Sequence, residues 1–204
     1  GDLKVSGAGS LTLTSSGGYP TLSAPGDITF DGVTVDITGD QVGIFCNEVY
    51  DEVEEDYVPT AVTMRNATVD IDVSAGDFQA VYCFYGSITV EDTVLTTTTS
   101  MTEESENYGL YVDGDLLIKG DKTDVKHTGG IGFDADTITI EGGKVDVKSN
   151  DTALLGYSGV TISGGAVKAE STNSYAILGT KGTVSITGAD TEVTAITGSE
   201  DYAA

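Results

Sequence analysis

The chain has 204 residues, of which 39% are hydrophobic, so it is long enough to bury a substantial core. Its 33 acidic and nine basic residues give a formal net charge of −24, and such a surface repels the phosphates of nucleic acids and anionic lipids. No stretch approaches the ~20 apolar residues that span a bilayer. Composition and charge therefore predict no nucleic-acid partner and no direct membrane insertion.

One short sequence pattern recurs eight times along the chain. The units begin near Gly1, Gly26, Ala61, Gly86, Gly114, Asp136, Ser158 and Lys181. Each opens with two apolar residues at alternate positions, namely Leu3/Val5, Ile28/Phe30, Val62/Met64, Ile88/Val90, Leu116/Ile118, Ile138/Ile140, Val160/Ile162 and Val184/Ile186. A second alternating segment follows, as in Leu11/Leu13, Val33/Val35, Val69/Ile71, Val145/Val147 and Val167/Ala169. A third closes most units, as in Ile44/Cys46, Val81/Cys83, Leu110/Val112 and Ile131/Phe133.

This alternation predicts short β-strands, because successive side chains of a strand point to opposite faces and no segment has a sustained helical period. Three short strands in a unit of about 22 residues are typical of a solenoid, in which each turn pairs with the next. The 27 glycines fit tight corners, where positive φ values are needed. We therefore predict an all-β fold in which residues 1–204 form a single solenoid domain of about eight coils.

Units five to seven carry the pattern G-x-[VI]-x-[VI]-x-G-G-x-V most clearly. It reads DTITIEGGKVDV from Asp136, SGVTISGGAVKA from Ser158 and, more loosely, GDLLIKGDKTDV from Gly114. On these residues the chain resembles the right-handed parallel β-helix proteins of the pectate-lyase-like class. More narrowly, it resembles the carbohydrate-binding β-helix modules on the surface of anaerobic, plant-fibre-degrading or gut bacteria. The resemblance implies a single-stranded right-handed parallel β-helix, an extracellular or cell-surface location and, as in many relatives of this class, calcium binding.

Two acidic segments exceed the repeat length, and solenoids often place functional loops where the period is broken. The first spans 47–60 and reads NEVYDEVEEDYVPT, and the second spans 99–108 and reads TSMTEESENY. Such charge runs are more often solvated loops than binding elements. The alternative is that they form a cation-attracting rim beside a binding face.

The outward side of the third strand carries the main candidate binding residues. The positions interpreted as inward are Ile44, Val81, Leu110, Ile131, Leu154 and Ile177. The residues that follow them and point outward are Phe45, Tyr82, Tyr111, Gly132, Leu155 and Leu178. Large exposed apolar surfaces usually mark contact sites, and aromatic rings one coil apart suit stacking on sugars, so Phe45, Tyr82 and Tyr111 are the predicted ligand-binding residues. The alternative is that the insertions, another domain or a subunit cover this column.

Four aspartates form the candidate metal site. Asp113 and Asp115 recur 21 residues later as Asp134 and Asp136, so the four carboxylates are predicted to meet at one corner of two adjacent coils. Like charges this close destabilise a fold unless they protonate, separate or bind a cation. Calcium is the predicted ion because it prefers oxygen ligands. The alternative is that these aspartates cap backbone amides in turns.

The cysteines and the histidine give weaker signals. Cys46 and Cys83 occupy matching inward positions of adjacent coils, which is compatible with a disulfide or with two buried free thiols. His127 is the only histidine, and the sequence around it contains no recognisable metal-ligand or catalytic pattern. We expect His127 to be exposed on a second strand.

Pectate-lyase-like enzymes act on the outer face of the first strand. The corresponding residues of this chain are Lys4, Thr29, Thr63, Thr89, Leu117, Thr139, Thr161 and Ser185. This column is dominated by hydroxyl groups and lacks a carboxylate pair for acid–base chemistry. We expect no enzymatic activity, and a calcium-dependent polysaccharide lyase or hydrolase is the least favoured function.

The favoured function is an extracellular, non-catalytic carbohydrate-binding or adhesion module at the bacterial cell surface, with a polysaccharide or surface glycan as its partner. A neutral glycan fits the net charge directly, whereas an acidic glycan would need bridging cations. The alternative is a structural stalk or protein-interaction module without a glycan ligand. The last unit ends without an evident cap, so its open strand edge is expected either to be covered by a flanking domain or subunit or to be protected in another way.

Overall fold

The computed structural model describes residues 1–75, 78–101 and 107–201. Within these ranges the chain forms strands and turns, and it contains no helix long and apolar enough to cross a membrane. The strands stack into a parallel β-solenoid of about eight turns, which confirms the predicted all-β fold.

The solenoid consists of two parallel sheets, and one antiparallel hairpin is attached to it. In chain order the strands are β1 (Leu3–Ser6), β2 (Ser10–Thr14), β3 (Leu22–Pro25), β4 (Ile28–Asp31), β5 (Thr34–Thr38), β6 (Ile44–Asn47), β7 (Val49–Asp51), β8 (Asp56–Val58), β9 (Thr60–Arg65), β10 (Thr68–Val73), β11 (Val81–Cys83), β12 (Gly86–Glu91), β13 (Val94–Thr99), β14 (Tyr108–Lys119), β15 (Asp124–Gly129), β16 (Ile131–Ile140), β17 (Lys144–Ser149), β18 (Leu154–Ile162), β19 (Gly165–Ser171), β20 (Ile177–Gly179), β21 (Thr183–Ile186) and β22 (Thr191–Thr197). The second strands of the units form the 8-stranded sheet, the first and third strands share the 12-stranded sheet, and β7 pairs only with β8.

The pairing register confirms the predicted repeat on the first strand of every unit. One column of directly paired residues runs through Leu3, Ile28, Val62, Ile88, Leu116, Ile138, Val160 and Val184. On the second strand, Leu11 pairs with Val35 and Leu13 pairs with Ile37. Val33 and Val35 are both buried, as their alternation predicted, and Ile37 continues the same inward set. Leu11 is therefore in register with the second residue of this set, because the side-chain period of a strand is two.

The inward columns form the core of the solenoid. Ile28, Phe30 and Met64 have no exposed surface, and the same holds for most of their partners in the following turns. Neighbouring strands lie about 4.8 Å apart, so equivalent side chains stack directly on one another. Each large apolar side chain that is fully buried contributes roughly 1.5–3 kcal/mol relative to an exposed one, so stability accumulates turn by turn.

The double glycine of the repeat forms the corner between the first and second strands. Gly143 and Gly165 have φ values of +78° and +81°, a region that residues with a Cβ atom rarely adopt. A Cβ atom at Gly143 would lie 2.6 Å from the carbonyl oxygen of Thr123 in the preceding turn. Backbone conformation and close packing of successive turns therefore both require glycine at this corner.

In the later turns of the solenoid, the third strand of one unit is continuous with the first strand of the next. β14, β16 and β18 each pass through this corner as one strand. The ladder between β14 and β16 shifts register between Val112 and Asp115, and the ladder between β16 and β18 shifts between Ala135 and Thr137. Such β-bulges bend a strand while keeping it in the sheet, which allows the corner to form without a separate turn.

The register at this corner corrects one predicted position. Leu110 pairs with Phe133, which is fully buried, so Phe133 and not Ile131 occupies the inward column. Tyr111 consequently pairs with Asp134. Gly132 is therefore not a member of the outward column, and Asp134 takes its place.

The first acidic insertion has regular structure. In the hairpin formed by β7 and β8, Tyr50 lies opposite Tyr57 and Asp51 lies opposite Asp56. The Asp51 carboxylate accepts hydrogen bonds from the backbone N–H groups of Val53 and Glu54, at 2.8 and 3.3 Å, and thereby closes the turn. The hairpin is largely exposed, as expected for a solvated segment, but it has strand structure and is not an irregular loop. In the second insertion, residues 102–106 lie outside the described residues.

Candidate functional site

The three predicted ligand-binding residues lie side by side. Phe45, Tyr82 and Tyr111 are direct pairing partners on β6, β11 and β14. The ring centroid of Tyr82 lies 5.3 Å from that of Phe45 and 5.1 Å from that of Tyr111. All three side chains are half-buried because their rings pack against one another on the outer side of the sheet. The column continues through Asp134, Leu155 and Leu178.

Five further aromatic residues join this column through ring contacts. The centroid distances are 5.0 Å for Tyr108–Tyr111, 5.9 Å for Tyr82–Phe84, 4.8 Å for Phe84–Tyr85, 5.4 Å for Tyr57–Tyr85 and 5.2 Å for Tyr50–Tyr57. We call the eight residues Phe45, Tyr50, Tyr57, Tyr82, Phe84, Tyr85, Tyr108 and Tyr111 the aromatic face. It runs from the central pair of the hairpin, Tyr50 and Tyr57, to the corner at Tyr111.

Sequence reasoning missed the hairpin side of the aromatic face. Tyr50 and Tyr57 lie in the insertion, which has no counterpart in the other units, so the repeat does not indicate which coil residue they contact. The available signal is the presence of two tyrosines in an otherwise acidic insertion. Tyr85 lies just before the first strand of its unit, at a position to which the repeat assigns no role.

The two sides of the aromatic face present their rings differently. The rings of Phe45 and Tyr82 meet at 41° and those of Tyr82 and Tyr111 at 76°, so the column is held by tilted and edge contacts. The rings of Tyr57 and Tyr85 are nearly parallel, at 14°. Tyr50, Tyr57 and Tyr85 are also the more exposed residues, at 52%, 41% and 47%. Ring surface free to contact a ligand is therefore concentrated at the hairpin.

The candidate aspartates lie at the opposite end of the column, but not as one cluster. Asp115 pairs with Thr137, so Asp115 and Asp136 are offset by one residue along the ladder. Asp113 accepts a hydrogen bond from the Tyr111 hydroxyl at 2.9 Å, and Asp136 accepts one from Ser158 at 2.7 Å. The hydroxyl of Thr137 donates to Asp115 in the same way. The bulged corner thus gives three of the four carboxylates a hydroxyl partner.

Asp134 and Asp113 share a shallow cavity of about 350 Å³ that also exposes Tyr111, Asp136 and Tyr157. Burial, followed by the negative charge of Asp113, raises the pKa of Asp134 to about 6. Burial and the hydrogen bond to Asp113 raise the pKa of Tyr111, so its hydroxyl remains a donor at neutral pH. The cavity therefore combines three carboxylates with two tyrosine side chains, a set that can exchange hydrogen bonds with sugar hydroxyl groups.

The four aspartates do not form a preassembled metal site. Within the described ranges of the chain, no three histidine, cysteine, aspartate or glutamate side chains lie where they could share an ion. Calcium binding by Asp113, Asp115, Asp134 and Asp136 stays a prediction.

The two cysteines are buried free thiols in adjacent turns. Cys46 pairs directly with Cys83, as the repeat predicted. The Cys46 thiol donates to the carbonyl oxygen of Gly26 at 3.1 Å, and the Cys83 thiol donates to that of Thr60 at 3.6 Å. The side-chain hydrogen bond that Cys83 shares with Cys46, followed by burial, raises the pKa of Cys83, so this thiol remains protonated. The sequence left a disulfide and two buried free thiols as alternatives, and the structure has the two free thiols.

His127 is buried, and the prediction that it is exposed is wrong. Only 2% of its surface is accessible, and it pairs with Thr97 and Val147 in an inward column of the second sheet. Its Nδ1 atom lies 2.9 Å from the Thr97 hydroxyl, and its ring packs 6.1 Å from that of Phe133. The Nε2 atom has no hydrogen-bond partner among the described residues. A buried imidazole in this setting suits a structural role.

The outer face of the first strands has the predicted composition. One column of directly paired residues runs through Lys4, Thr29, Thr63, Thr89, Leu117, Thr139, Thr161 and Ser185. The neighbouring Arg65, at the end of β9, forms an ion pair with Asp31 at 2.8 Å. These positions present mainly hydroxyl groups, as expected from the sequence.

No protein-family model, curated protein or solved structure matches the chain. The parallel β-solenoid is therefore established by the strand register alone. The narrower resemblance to pectate-lyase-like and carbohydrate-binding β-helix proteins stays a prediction, so the function has to be argued from the aromatic face and the charges around it.

Proposed function

We propose that the protein is an extracellular, non-catalytic carbohydrate-binding module at the bacterial cell surface, and that it holds a glycan on the aromatic face. The observation that carries this proposal is the unbroken run of ring contacts from the hairpin tyrosines through Tyr82 to Tyr111. Eight aromatic side chains on the outside of a water-exposed sheet need a physical reason, because exposed apolar surface of this extent usually serves a contact.

Aromatic rings suit sugars because the C–H groups of a pyranose face are apolar while its rim carries hydroxyl groups. The rings of the aromatic face would contact the C–H groups, and the tyrosine hydroxyls and the carboxylates of Asp113 and Asp134 would bind the rim. Each ring contact contributes about 0.5–1.5 kcal/mol beyond area burial when it pairs with another aromatic ring, and a sugar contact is expected to be of this order. The −24 charge disfavours glycans rich in uronic acids.

Affinity electrophoresis tests the proposal. The wild-type chain should be retarded in gels that contain neutral polysaccharides such as β-glucans or xylans, and Tyr82→Ala and Tyr111→Ala should reduce this retardation. Tyr19→Ala is the matched control, because Tyr19 is 77% exposed and makes none of the ring contacts described. Circular dichroism should confirm that each variant keeps its strands. Wild-type mobility that no neutral polysaccharide changes, or retardation that survives both substitutions, would contradict the proposal.

A structural or protein-binding surface module is the second candidate. The tilted and edge contacts among Phe45, Tyr82 and Tyr111 favour it, because rings packed in this way stabilise one another and leave less surface for a ligand. For this candidate, Tyr82→Ala should lower the melting temperature without any effect on retardation by a glycan. The same variant therefore separates the two functions.

A further inference from the structure

The hairpin tyrosines form a surface of their own within the aromatic face. Tyr57, from the insertion, lies almost parallel to Tyr85 of the coil, and Tyr50 contacts the same ring of Tyr57 at an angle of 67°. All three residues are more than 40% exposed, in contrast to the half-buried column. Tyr50 and Tyr57 also face each other across the hairpin ladder, which fixes their spacing. Two chain segments thus cooperate to present exposed rings.

The backbone at Tyr85 is held in an unfavourable conformation. Its φ value is +51°, in the left-handed region that residues with a Cβ atom rarely adopt. Bulky residues in this region cost roughly 1 kcal/mol or more, and such strain is concentrated at binding and catalytic sites. The next residue has to be glycine, because a Cβ atom at Gly86 would lie 1.8 Å from the carbonyl oxygen of Thr60. The conformation keeps the Tyr85 ring outside the coil, where Tyr57 meets it.

The charges around these rings are all of one sign. Residues 48–56 contain six carboxylates, and no lysine or arginine occurs between Lys4 and Arg65. None of the ion pairs found in the described part of the chain involves the hairpin. At its base, the Oε2 atom of Glu48 is shielded from solvent and has no hydrogen-bond partner among the described residues. The hairpin therefore has unneutralised negative charge and an acceptor in need of a donor.

We propose that Tyr50, Tyr57 and Tyr85 form a distinct subsite for a sugar that bears a free amino group, such as a glucosamine residue of a glycan. This inference rests on the proposed glycan-binding function and adds a substrate class to it. The tyrosine rings stack on the apolar face of the sugar. The protonated amine lies over a ring or beside the hairpin carboxylates, where cation–π attraction and the negative potential both favour it.

The shape of the surface favours an amino sugar over a basic peptide. Lysine and arginine side chains are flexible and lose conformational freedom when they bind, whereas a pyranose ring is rigid and presents a flat C–H face. Tyr57 and Tyr85 stack on each other, so the pyranose contacts the ring surface that this pair and Tyr50 leave exposed. Uronic acids are excluded because their carboxylates would meet the six acidic side chains of the hairpin.

Titration calorimetry with oligosaccharides of equal length tests this subsite. The probes are β-1,4-linked glucosamine oligomers, glucose oligomers of the same linkage, galacturonic acid oligomers and short oligolysine, at pH 6 and low salt. The glucosamine oligomers should bind more tightly than the glucose oligomers, and added salt should reduce the difference. Tyr57→Ala and Tyr85→Ala should each weaken glucosamine binding about two- to ten-fold, the factor that corresponds to 0.5–1.5 kcal/mol per ring contact. Tyr19→Ala should have no effect.

The outcomes separate this inference from the proposed function. If glucose oligomers bind with dependence on Tyr82 and Tyr111 but Tyr57→Ala and Tyr85→Ala behave like Tyr19→Ala, the hairpin subsite is wrong and the glycan-binding function stands. Equal affinity for glucosamine and glucose oligomers overturns the amino-sugar preference. Tighter binding of oligolysine than of glucosamine oligomers, with the same dependence on Tyr57, makes the ligand a basic peptide and overturns the inference. If no oligosaccharide binds the wild-type chain, both proposals fail.

Discussion

At the scale of single residues, His127 has the most unusual environment. Burial lowers its pKa to about 4, and the groups packed around it, including Thr97 and Phe133, carry no charge. Gly109 and Gly129 leave the space for the ring, because a Cβ atom at either position would lie within 3 Å of it. The fold thus accommodates a neutral imidazole and gives a protonated one no counter-charge.

We therefore expect His127 to make the protein sensitive to acid. The folded-state pKa of about 4 lies below the unfolded value of 6.5, so the unfolded chain binds the proton first. Stability from this residue is present in full above pH 6.5 and is lost as the pH falls towards 4. The shift corresponds to roughly 3 kcal/mol in the free energy of unfolding. Urea unfolding at a series of pH values measures it.

The matched variant is His127→Val. Valine is the residue at the directly paired position in the next turn, Val147, so its side chain suits this inward column. Its free energy of unfolding should depend less on pH than that of the wild type between pH 6.5 and 4. Asp134 acts in the opposite direction in this range, because its raised pKa makes protonation favour the folded state, but it does so equally in both proteins. Parallel pH profiles for the two proteins would contradict the prediction.

The alternation of inward and outward residues could have identified His127 as buried from the sequence. Val125 begins the inward set of its strand, and His127 follows it by two positions, so both point the same way. We expected exposure because the sequence around His127 shows no metal-ligand or catalytic pattern. Gly129 lies on the same strand as His127, but the hydroxyl of Thr97 and the space at Gly109 come from β13 and β14, so they become evident only with the fold.

At the scale of single elements, the corners decide which substitutions the solenoid tolerates. Gly143 and Gly32 both have positive φ values, +78° and +68°, but a Cβ atom at Gly32 would have no neighbour within 4 Å. Gly32→Ala should cost about 1 kcal/mol, for the backbone conformation alone. Gly143→Ala should cost an additional 1–3 kcal/mol, approximately, because the new methyl group meets the Thr123 carbonyl.

Chemical denaturation of the two variants, with Gly9→Ala as the reference for an open corner without a positive φ, measures these costs. Gly9 has no neighbour within 4 Å of its Cβ position and no left-handed backbone. An equal loss of unfolding free energy in Gly32→Ala and Gly143→Ala would contradict the prediction. It would mean that the contact with the preceding turn adds no cost at Gly143.

Element boundaries were predictable only where the repeat is regular. The first-strand columns follow from the sequence because each unit has the same spacing there. The β-bulges after Val112 and Ala135 change the spacing by one residue, and no residue pattern predicts on which strand a bulge occurs. The candidate site contains both kinds of position. Phe45, Tyr82 and Tyr111 were predictable from the register, whereas the contact between Tyr57 and Tyr85 depends on how a unique insertion folds.

At the scale of the whole molecule, the negative charge dominates. Mutual repulsion among the 33 acidic residues destabilises the compact state, so added cations should stabilise it by screening. We expect Ca²⁺ and Mg²⁺ at matched ionic strength to raise the melting temperature equally, because no three carboxylates in the described ranges converge on one point. Differential scanning fluorimetry before and after EDTA measures both effects.

The result also tests the calcium prediction. A rise that is larger for Ca²⁺ than for Mg²⁺, and that Asp134→Asn or Asp136→Asn abolishes, would support a calcium site at the bulged corner. A matched control is Asp146→Asn, which removes the same charge from an outward position of the second sheet.

The continuous strands β14, β16 and β18 distribute rigidity unevenly along the solenoid. Each of these strands runs through the corner and forms two sides of its turn without a break. We therefore expect the backbone hydrogen bonds on the two sides to open together. Amide protons of this segment should exchange with deuterated solvent together and slowly, whereas those of the hairpin, which pairs only with itself, should exchange early. The protein would then present Tyr50 and Tyr57, two exposed rings of the aromatic face, on its least protected element.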